Sequence, residues 1–381
     1  IVSAVRTPLG CFMGALSNFS AVELGIQALN GAVKKINLDK KHIDELIIGH
    51  VLQAGCGQAP AKQIAIGSNL KYEIPCTSVN KVCSSGLKAI ELAAQSIQLG
   101  KNDVVVTGGV ESMSNSPHYL NLRKPTKFGD SHSVDGMLLD GLKDVYSNES
   151  MGLLADNCAS KYGISREAQE DFAINSHKKA LAAWEAGKFD NEIIPIDMYG
   201  ESTVSKDEGP REPDEEKIKS LNPAFVEGGS VTAATSSPFS LGAAALLVTS
   251  ESFAKENGLT IRAEIVSRAV AGVDWTRMGM GPLPATEKAL KKADLTMDDI
   301  EVIELNEAFA AQSLYVINEG GWDPNKINLN GGAIALGHPL GCSGARILGT
   351  LINVMEQNEK QIGLATMCIG TGQGIATIIK R

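Results

Sequence analysis

AVKKINLDKKHID at residues 32–44 and ALKKADLTMDDIE at residues 289–301 align without a gap, and this pair of stretches decides the fold of the chain. Each stretch is followed by a short β-prone run, ELIIG at residues 45–49 and VIELN at residues 302–306. One helix–strand order that occurs twice in a chain predicts that two parts of the molecule fold alike.

The repeat continues beyond these stretches at a nearly constant offset. SGLKAI at residues 85–90 aligns with SGARIL at residues 343–348, which is 258 residues later, and the apolar run at 104–106 keeps that spacing with the run at 362–364. Chance similarity between amphipathic segments is the alternative, but it does not explain so constant an offset. Helices alternating with buried apolar strands predict mainly parallel sheets covered by helices on both faces, so we expect an α/β fold.

A more polar segment interrupts the first half. We predict that residues 1–114 and 236–255 form the first half, that residues 115–235 form an inserted region acting as a lid or subunit contact, and that residues 256–381 form the second half. The insert contains helical pieces such as residues 166–186 and a charge run at 206–217, for which solvated surface is the expected role.

Composition excludes several classes of function. A formal net charge of −9 over 381 residues is unlike a general nucleic-acid binder, and the longest apolar runs are too short to span a bilayer. Seven cysteines without a Cys-x-x-Cys pair indicate a reduced, intracellular protein, and we predict no metal site. The expected compartment is the cytoplasm. The mitochondrial matrix is the alternative, because a targeting segment upstream of the given residues would not be visible in them.

Three residues in glycine-rich loops could carry chemistry. Cys83 lies where a strand-like run turns into a strong helical pattern, and a helix N-terminus is a setting that lowers the pKa of a thiol. His338 and Cys368 lie in two further loops with closely spaced glycines, which allow a substrate to approach the backbone. A free cysteine is more often a small buried hydrophobe and a lone histidine is more often structural, so only the set of three is informative. Asn306 ends a strand, and by itself would be a turn or cap residue.

Four short motifs carry a family resemblance: NKVCSSG at residues 80–86, NEAF at 306–309, GHP at 337–339 and CIG at 368–370. In this order they resemble the active-site signatures of thiolases, and the resemblance covers essentially the whole chain. It implies a thiolase-like fold, in which two duplicated α/β halves pack as a layered αβαβα body with an inserted loop domain. Within the family, DGLKDVY at 140–146 and AWEAGKF at 183–189 are most similar to the branch that acts on acetoacetyl-CoA.

The resemblance implies a role for each residue of the set. Cys83 would take an acetyl group from acetyl-CoA while His338 accepts its proton, and Cys368 would remove a proton from a second acetyl-CoA, whose carbanion attacks the Cys83 thioester. One oxyanion hole would be His338 with a water held by Asn306, and the other would be the backbone N–H groups of Cys83 and Gly370.

The same resemblance implies the residues that bind coenzyme A. Ser237 would contact the pantetheine and Arg211 the adenine side, and the apolar lining would be Met151, Met278, Ala308 and Phe309. The chain departs from the family pattern at residues 235–237 and 240–242, near the pantetheine path, and at Thr371, where the family commonly has glycine.

Implied partners are small acyl-CoA substrates, with coenzyme A as a substrate and product and no permanently bound cofactor. A homodimer or homotetramer is expected. The alternatives are a degradative 3-ketoacyl-CoA thiolase of broader chain length and a non-catalytic binding protein with this fold. A ketoacyl synthase would have a second histidine in place of Cys368, and a Cys-His hydrolase would have no use for a second thiol.

Overall fold

The structure is a computed structural model, and it describes residues 1–123, 127–198, 200 and 202–381. Its strands are β1 (Ser3–Arg6), β2 (Gly10–Cys11), β3 (Glu45–Gly49), β4 (Cys76–Val79), β5 (Val104–Ser112), β6 (His118–Tyr119), β7 (Val134–Asp135), β8 (Ile196–Asp197), β9 (Thr203–Val204), β10 (Ser240–Thr249), β11 (Glu264–Gly272), β12 (Val302–Leu305), β13 (Ile362–Ile369) and β14 (Gln373–Lys380). Its α-helices are α1 (Ala21–Lys35), α2 (Pro60–Gly67), α3 (Ser85–Gln98), α4 (Met151–Tyr162), α5 (Arg166–Glu185), α6 (Glu215–Ser220), α7 (Glu251–Glu256), α8 (Pro282–Ala293), α9 (Ala310–Gly320), α10 (Ala333–Leu336) and α11 (Leu340–Gln357). Single helical turns, most of them 3₁₀, lie at Ala15–Asn18, Lys40–His42, Met113–Asn115, Leu138–Leu142, Ala233–Thr235, Trp275–Met280, Met297–Asp299 and Pro324–Lys326.

The two halves have equivalent sheets. The first sheet has the order β1-β10-β5-β3-β4, with β2 beside β10, and the second has the order β11-β14-β13-β12. The repeated stretches end the equivalent helices α1 and α8 and lead into the equivalent strands β3 and β12, each after a single 3₁₀ turn. The predicted duplication is therefore confirmed at the level of strand order.

The expectation of mainly parallel sheets is wrong. β10 runs antiparallel to both β1 and β5, and β14 runs antiparallel to both β11 and β13. Among the described strands of these two sheets, parallel pairing is confined to β3 with its two neighbours and to β12 with β13. The turn between β13 and β14 is only residues 370–372, and so short a connection allows an antiparallel hairpin but no crossover.

Two helices fill the space between the sheets. α3 and α11 share one apolar cluster with the inner faces of both sheets, including Ile47, Val105, Met367 and Ile375. α1 and α2 cover the outer face of the first sheet, and α8 and α9 cover the outer face of the second. The layers are therefore α, β, α, β and α, as the sequence predicted.

Equivalent glycines let the two central helices approach closely. A Cβ on Gly86 would lie 2.8 Å from the backbone oxygen of Gly341, and one on Gly344 would lie 2.4 Å from the backbone nitrogen of Leu87. Any larger side chain would push the helices apart. These glycines are 258 positions apart, so the repeated sequence itself forms the seam between the halves.

The long connection between β5 and β10 includes α4, α5 and α6 and packs against the second half, where α5 contacts α9 and α10. Its charge run is not entirely solvated surface. Asp207 is buried and accepts two hydrogen bonds from the guanidinium of Arg6, at 2.6 and 2.9 Å. Arg6 also pairs with Glu192 at 2.6 Å, so a buried ion network fixes the connection to β1. The division of the chain into three units stays a prediction.

Candidate active site

Loops from both halves and from the insert surround one cavity of about 380 Å³. The three residues singled out for chemistry, Cys83, His338 and Cys368, all line it. The remaining wall is mostly apolar and consists of Met113, Leu138, Gly141, Leu142, Ser150, Met151, Gly152, Ala224, Phe225, Ala233, Ser236, Ser237, Pro238, Phe239, Met278, Ala308, Phe309, Leu340 and Gly370. The pair of thiols and the imidazole therefore face a single space large enough for a small acyl group and its carrier arm.

A strained turn presents Cys83. Val82 has φ of 48°, a left-handed conformation that is a genuine outlier for a β-branched residue. The turn is held by side chains, because Asn80 Oδ1 accepts the N–H of Val82 at 2.9 Å and Ser85 Oγ accepts the N–H of Lys81 at 2.8 Å. Such a conformation persists only where its surroundings determine it, and it directs the residue after Val82 into the cavity.

The Cys83 turn is also tied to the turn of the other half. Lys81 Nζ donates to Gln373 Oε1 at 2.6 Å, immediately after the turn at residues 370–372. The backbone N–H groups of Gly370 and of Cys83 itself are directed at the Cys83 sulfur. Two donors from separate halves thus converge on the Cys83 sulfur.

Burial raises the pKa of the Cys83 thiol to about 11, although the two backbone N–H groups act in the opposite direction. The expectation that the helix N-terminus lowers this pKa is therefore wrong. The residue is partly buried, and desolvation of a thiolate there outweighs the favourable dipoles. Cys83 therefore rests as a neutral thiol, which would need a base to act as a nucleophile.

Cys368 lies near the end of β13, and 1% of its surface is exposed. Its neighbours in the apolar cluster include Leu154, Met278 and Ala308. Burial, followed by the nearby Cys83 thiol, raises the pKa of Cys368 far above its usual range. Once deprotonated, such a thiolate is a stronger base than an exposed one.

The tautomer of His338 follows from its hydrogen bonds. Nδ1 lies 2.6 Å from Ser343 Oγ, and Ser343 Oγ donates its only proton to the carbonyl oxygen of Pro339 at 2.9 Å. The serine oxygen can therefore only accept from the ring, so Nδ1 carries the proton. Nε2 is buried, has no hydrogen-bond partner within the described part of the chain, and keeps a lone pair.

Burial, followed by the charge of Arg346, lowers the pKa of His338 to about 3. The imidazole is thus neutral at physiological pH. A neutral ring with a free Nε2 lone pair on a shared cavity wall is suited to take the proton of a thiol.

Asn306 lies between β12 and α9, with its backbone N–H donated to Thr366 at 3.1 Å. Its side chain is fully buried, and neither amide atom has a hydrogen-bond partner among the residues that the structure describes. Buried amides are normally satisfied, so this one can bind a polar ligand or solvent. Asn306 does not itself line the cavity, whereas Ala308 and Phe309 in the same loop do.

Five of the six residues expected to bind coenzyme A line the cavity, namely Ser237, Met151, Met278, Ala308 and Phe309. Ser237 is fixed by donating both its N–H and its hydroxyl to the carbonyl of Ala308, each at 3.0 Å. Arg211 is not brought to the cavity wall. It is exposed, donates its backbone N–H to His177 Nδ1 at 3.4 Å, and its adenine-side role stays a prediction.

Sequence reasoning missed Ser343, which fixes the His338 tautomer, and the aromatic residues Phe225 and Phe239 of the cavity wall. A polar residue five positions after His338 in a helical pattern was a usable signal for Ser343. Nothing local identifies the two phenylalanines, because they lie in irregular segments that reach the cavity only through the tertiary fold.

In the part of the chain that the structure describes, no helix is long and apolar enough to cross a membrane. No group of three or more histidine, cysteine and acidic residues there is arranged to hold a metal ion.

Comparison with known proteins gives consistent matches. The family model described as "Thiolase, N-terminal domain" matches residues 1–252, and that described as "Thiolase, C-terminal domain" matches residues 259–381. Proteins named acetyl-CoA acetyltransferase from Cupriavidus necator and from Escherichia coli K12 are each 48% identical to this chain, over 100% of it and 98% of their own length. A crystal structure of the Bacillus anthracis acetyl-CoA acetyltransferase superposes with a TM-score of 0.97 at 41% identity, covering 100% of this chain and 98% of the other.

Proposed function

The chain belongs to the thiolase family, and on that premise we propose that it is an acetyl-CoA acetyltransferase. It joins two acetyl-CoA molecules reversibly into acetoacetyl-CoA and free coenzyme A, through an acetyl group carried on Cys83. The observation that carries the proposal is the convergence of Cys83, Cys368 and a neutral His338 on one apolar cavity.

The first half-reaction transfers the acetyl group. The Cys83 sulfur attacks the thioester carbon of acetyl-CoA while its proton passes to His338 Nε2. The carbon–sulfur bond to coenzyme A breaks, and the departing thiolate takes the proton from the imidazole. The pKa of Cys83 is raised and that of His338 is lowered, so the thiol keeps its proton in the free enzyme. This proton therefore passes to the imidazole only when substrate is bound. One difficult displacement is divided into two easier ones.

The second half-reaction forms the carbon–carbon bond. Cys368 gives its proton to Nε2 of the neutral His338 and, as thiolate, takes a proton from the methyl carbon of a second acetyl-CoA. The resulting carbanion attacks the carbonyl carbon of acetyl-Cys83 and the bond to the Cys83 sulfur breaks. The released Cys83 thiolate takes the proton from His338, and acetoacetyl-CoA leaves. In the reverse direction the Cys368 thiol returns the proton to carbon.

Both half-reactions place negative charge on a carbonyl oxygen. The N–H groups of Cys83 and Gly370 serve the oxygen of the acetyl group on Cys83, and each donor in such a site is worth ~3 kcal/mol. Asn306, through a solvent molecule, and His338, whose Nε2 can donate once it has taken up a proton, serve the oxygen of the second substrate. The unpartnered amide of Asn306 supports this assignment.

The carrier arm lies along Ser237, Met151, Met278, Ala308 and Phe309, under the inserted region, with Arg211 on the adenine side. Residues 115–235 act as the cover of this arm and as subunit contacts in a homodimer or homotetramer. The cytoplasm is the proposed compartment. Coenzyme A is a substrate and product, with no cofactor bound permanently.

Acetylation tests the proposal directly. Incubation with acetyl-CoA and acid quenching should add one acetyl group to the peptide that contains Cys83. Cys368→Ala should keep this acetylation and lose condensation by about 10²- to 10⁴-fold, because only the general base for the carbon acid is removed. Cys76→Ala, in β4 and outside the cavity, is the matched control and should keep both activities. Acetylation at another residue, or condensation that survives Cys368→Ala, contradicts the assignment.

One observation favours the alternative of a broader chain length. A second cavity of about 160 Å³ is lined in part by Leu154 and Met278, which belong to one apolar cluster with Cys368. If acyl chains reached it past the flexible Met278, thiolysis of six-carbon and eight-carbon 3-ketoacyl-CoA would be as fast as that of acetoacetyl-CoA. We expect acetoacetyl-CoA to be preferred, and equal rates with free coenzyme A would establish the degradative function instead.

A further inference from the structure

Glu111 is a buried carboxylate that the chemistry described above does not use. It is the second-last residue of β5, and none of its surface is exposed. Its oxygens accept the backbone N–H groups of Val51 at 3.2 Å, Leu52 at 3.1 Å and Gly341 at 2.8 Å. Burying a carboxylate costs free energy, and hydrogen-bond donors such as these offset that cost. A glutamate held in this way inside the protein calls for an explanation.

A second buried group compensates the charge. His50 Nε2 lies 3.4 Å from Glu111 Oε1, and neither side chain is exposed. Burial alone would lower the pKa of His50, but the Cys56 thiol and the Glu111 carboxylate outweigh it and raise this pKa to about 9. At neutral pH the two residues therefore form an ion pair inside the protein.

The third donor is what connects Glu111 to the active site. Gly341 is the second residue of α11 and lies three positions after His338, so its N–H would otherwise be one of the unsatisfied groups at the helix start. Val51 and Leu52 follow β3 of the first half. One carboxylate thus joins the first half to the helix that begins beside the catalytic imidazole.

Packing around this bond is close. A Cβ on Gly341 would lie 2.6 Å from the carbonyl oxygen of Val110, and one on Gly109 would lie 2.0 Å from the carbonyl oxygen of Gly341. The start of α11 therefore rests directly on β5, and a change at Glu111 cannot be absorbed by free space.

We propose that Glu111 is a positioning residue, which sets the start of α11, and with it His338, in register with the Cys83 turn across the boundary between the halves. It touches no substrate and acts through Gly341. This inference rests on the proposed function, since it assigns a role in the acetylation of Cys83.

The test is the single-turnover rate of Cys83 acetylation in Glu111→Gln and Glu111→Asp. The amide replaces an acceptor oxygen by a donor, and the shorter acid keeps the charge but cannot reach all three N–H groups. Each variant should slow acetylation by about 10-fold or more with a nearly unchanged KM for acetyl-CoA, because a displaced base affects the transition state more than binding.

A pH profile separates positioning from mere stability. The Glu111 carboxylate contributes to the raised pKa of Cys83, so Glu111→Gln should shift the alkylation of Cys83 by iodoacetamide to lower pH, whereas Glu111→Asp should leave that profile in place. Glu192→Gln is the matched control. Glu192 is a buried carboxylate that also joins the halves, bonding Arg6 of β1 and Asn353 within α11, but it lies away from the start of this helix. The Glu192→Gln variant should have a lower melting temperature and an unchanged acetylation rate.

Folded Glu111 variants that acetylate within two-fold of the wild type would overturn the proposal, as would an equal loss in Glu192→Gln. If Glu111→Gln does not fold, Glu111→Asp carries the test alone. Failure of the proposed function is distinguishable, because the wild-type protein would then not acetylate Cys83 at all.

Discussion

The starts of α3 and α11 are equivalent positions of the repeat, yet they differ in structure. At the offset of 258 residues, Val82, Cys83 and Ser85 correspond to Leu340, Gly341 and Ser343. α11 is already helical at Leu340, whereas α3 begins only at Ser85, three positions later in the alignment. The residues that continue the helix in one half form the strained turn of the nucleophile in the other.

The surroundings of the two helix starts also differ, because one start faces a cavity and the other contacts a protein carboxylate. The Cys83 turn faces a cavity, with the N–H of Gly370 directed at the sulfur. Its counterpart Gly341 donates its N–H to the carboxylate of Glu111, which sits next to the residue equivalent to Gly370, namely Ser112. The open end of the duplicated scaffold is the Cys83 turn, which faces the cavity. The closed end is the start of α11 at Gly341, which is occupied by the carboxylate of Glu111.

The strand connections differ too. β13 and β14 are joined by the turn at residues 370–372, while the equivalent β5 and β10 are joined by residues 113–239. The short turn supplies a backbone donor, and the long connection supplies much of the cavity wall. Repetition thus provides the framework, and chemistry arises where the two copies depart from each other.

The largest expected effect is at the open end. His338→Asn removes the proposed base and should slow acetylation of Cys83 by about 10²- to 10⁴-fold. Because the pKa of His338 is lowered to about 3, the wild-type acetylation rate should show no inflection near pH 6.5. A rapid-quench series between pH 5 and 8 checks this, and an inflection near 6.5 would mean that the imidazole titrates as an exposed one.

The closed end should not tolerate a side chain. Gly341→Ala places a methyl group 2.6 Å from the carbonyl oxygen of Val110 and should lower the free energy of unfolding by about 3 kcal/mol. Gly349→Ala, in the same helix but with its nearest contact at 3.8 Å, should instead gain about 0.5 kcal/mol from better helix propensity. Chemical denaturation measures both, and equal effects would show that the contact with β5 is loose.

The two ends should also differ in their dependence on pH. The folded-state pKa of His50 is raised from 6.5 to about 9, so its contribution to stability is complete below pH 6.5 and is lost as the pH rises through 9. Between these values the wild type should lose about 2 kcal/mol of unfolding free energy that His50→Gln does not lose. His42→Gln, outside the ion pair, is the control and should retain the wild-type slope. If His50→Gln lost the same unfolding free energy over this pH range as the wild type, the titrating group would not be His50.

The smallest expected effect comes from the backbone strain of the Cys83 turn. Val82→Gly removes the Cβ that disfavours a φ of 48°, whereas Val82→Ala keeps it. Relief of the strain exceeds the extra entropy of glycine in the unfolded chain only slightly, so Val82→Gly should be the more stable of the two by ~0.5 kcal/mol. The opposite order in denaturant titrations would mean that the turn is not strained.

The sequence was sufficient for the duplication, the layered halves and the three reactive residues of the cavity, because each leaves a local pattern of periodicity or glycine spacing. It was insufficient where distant parts of the chain meet. The antiparallel course of β10 depends on how the long connection returns, and the raised pKa of Cys83 depends on burial by residues far away in sequence.

The same limit applies to charged residues. Asp207 looks like part of a solvated run until Arg6 is brought beside it. The role of Arg211 stays a prediction, because this residue lies in an irregular segment whose position no periodicity fixes. Glu111 carried no signal of its own, since its three donors come from two separate stretches of chain.

The burial of α11 has a consequence for hydrogen exchange. Nearly every residue of this helix from Leu340 to Met355 is shielded from solvent between the two sheets, so its amides should exchange only when the whole protein unfolds. The loop that carries His338 is anchored to the slowest-exchanging element, while α6 of the inserted region has no buried residue and should exchange early. This part of the inserted region can therefore open locally while the imidazole stays fixed.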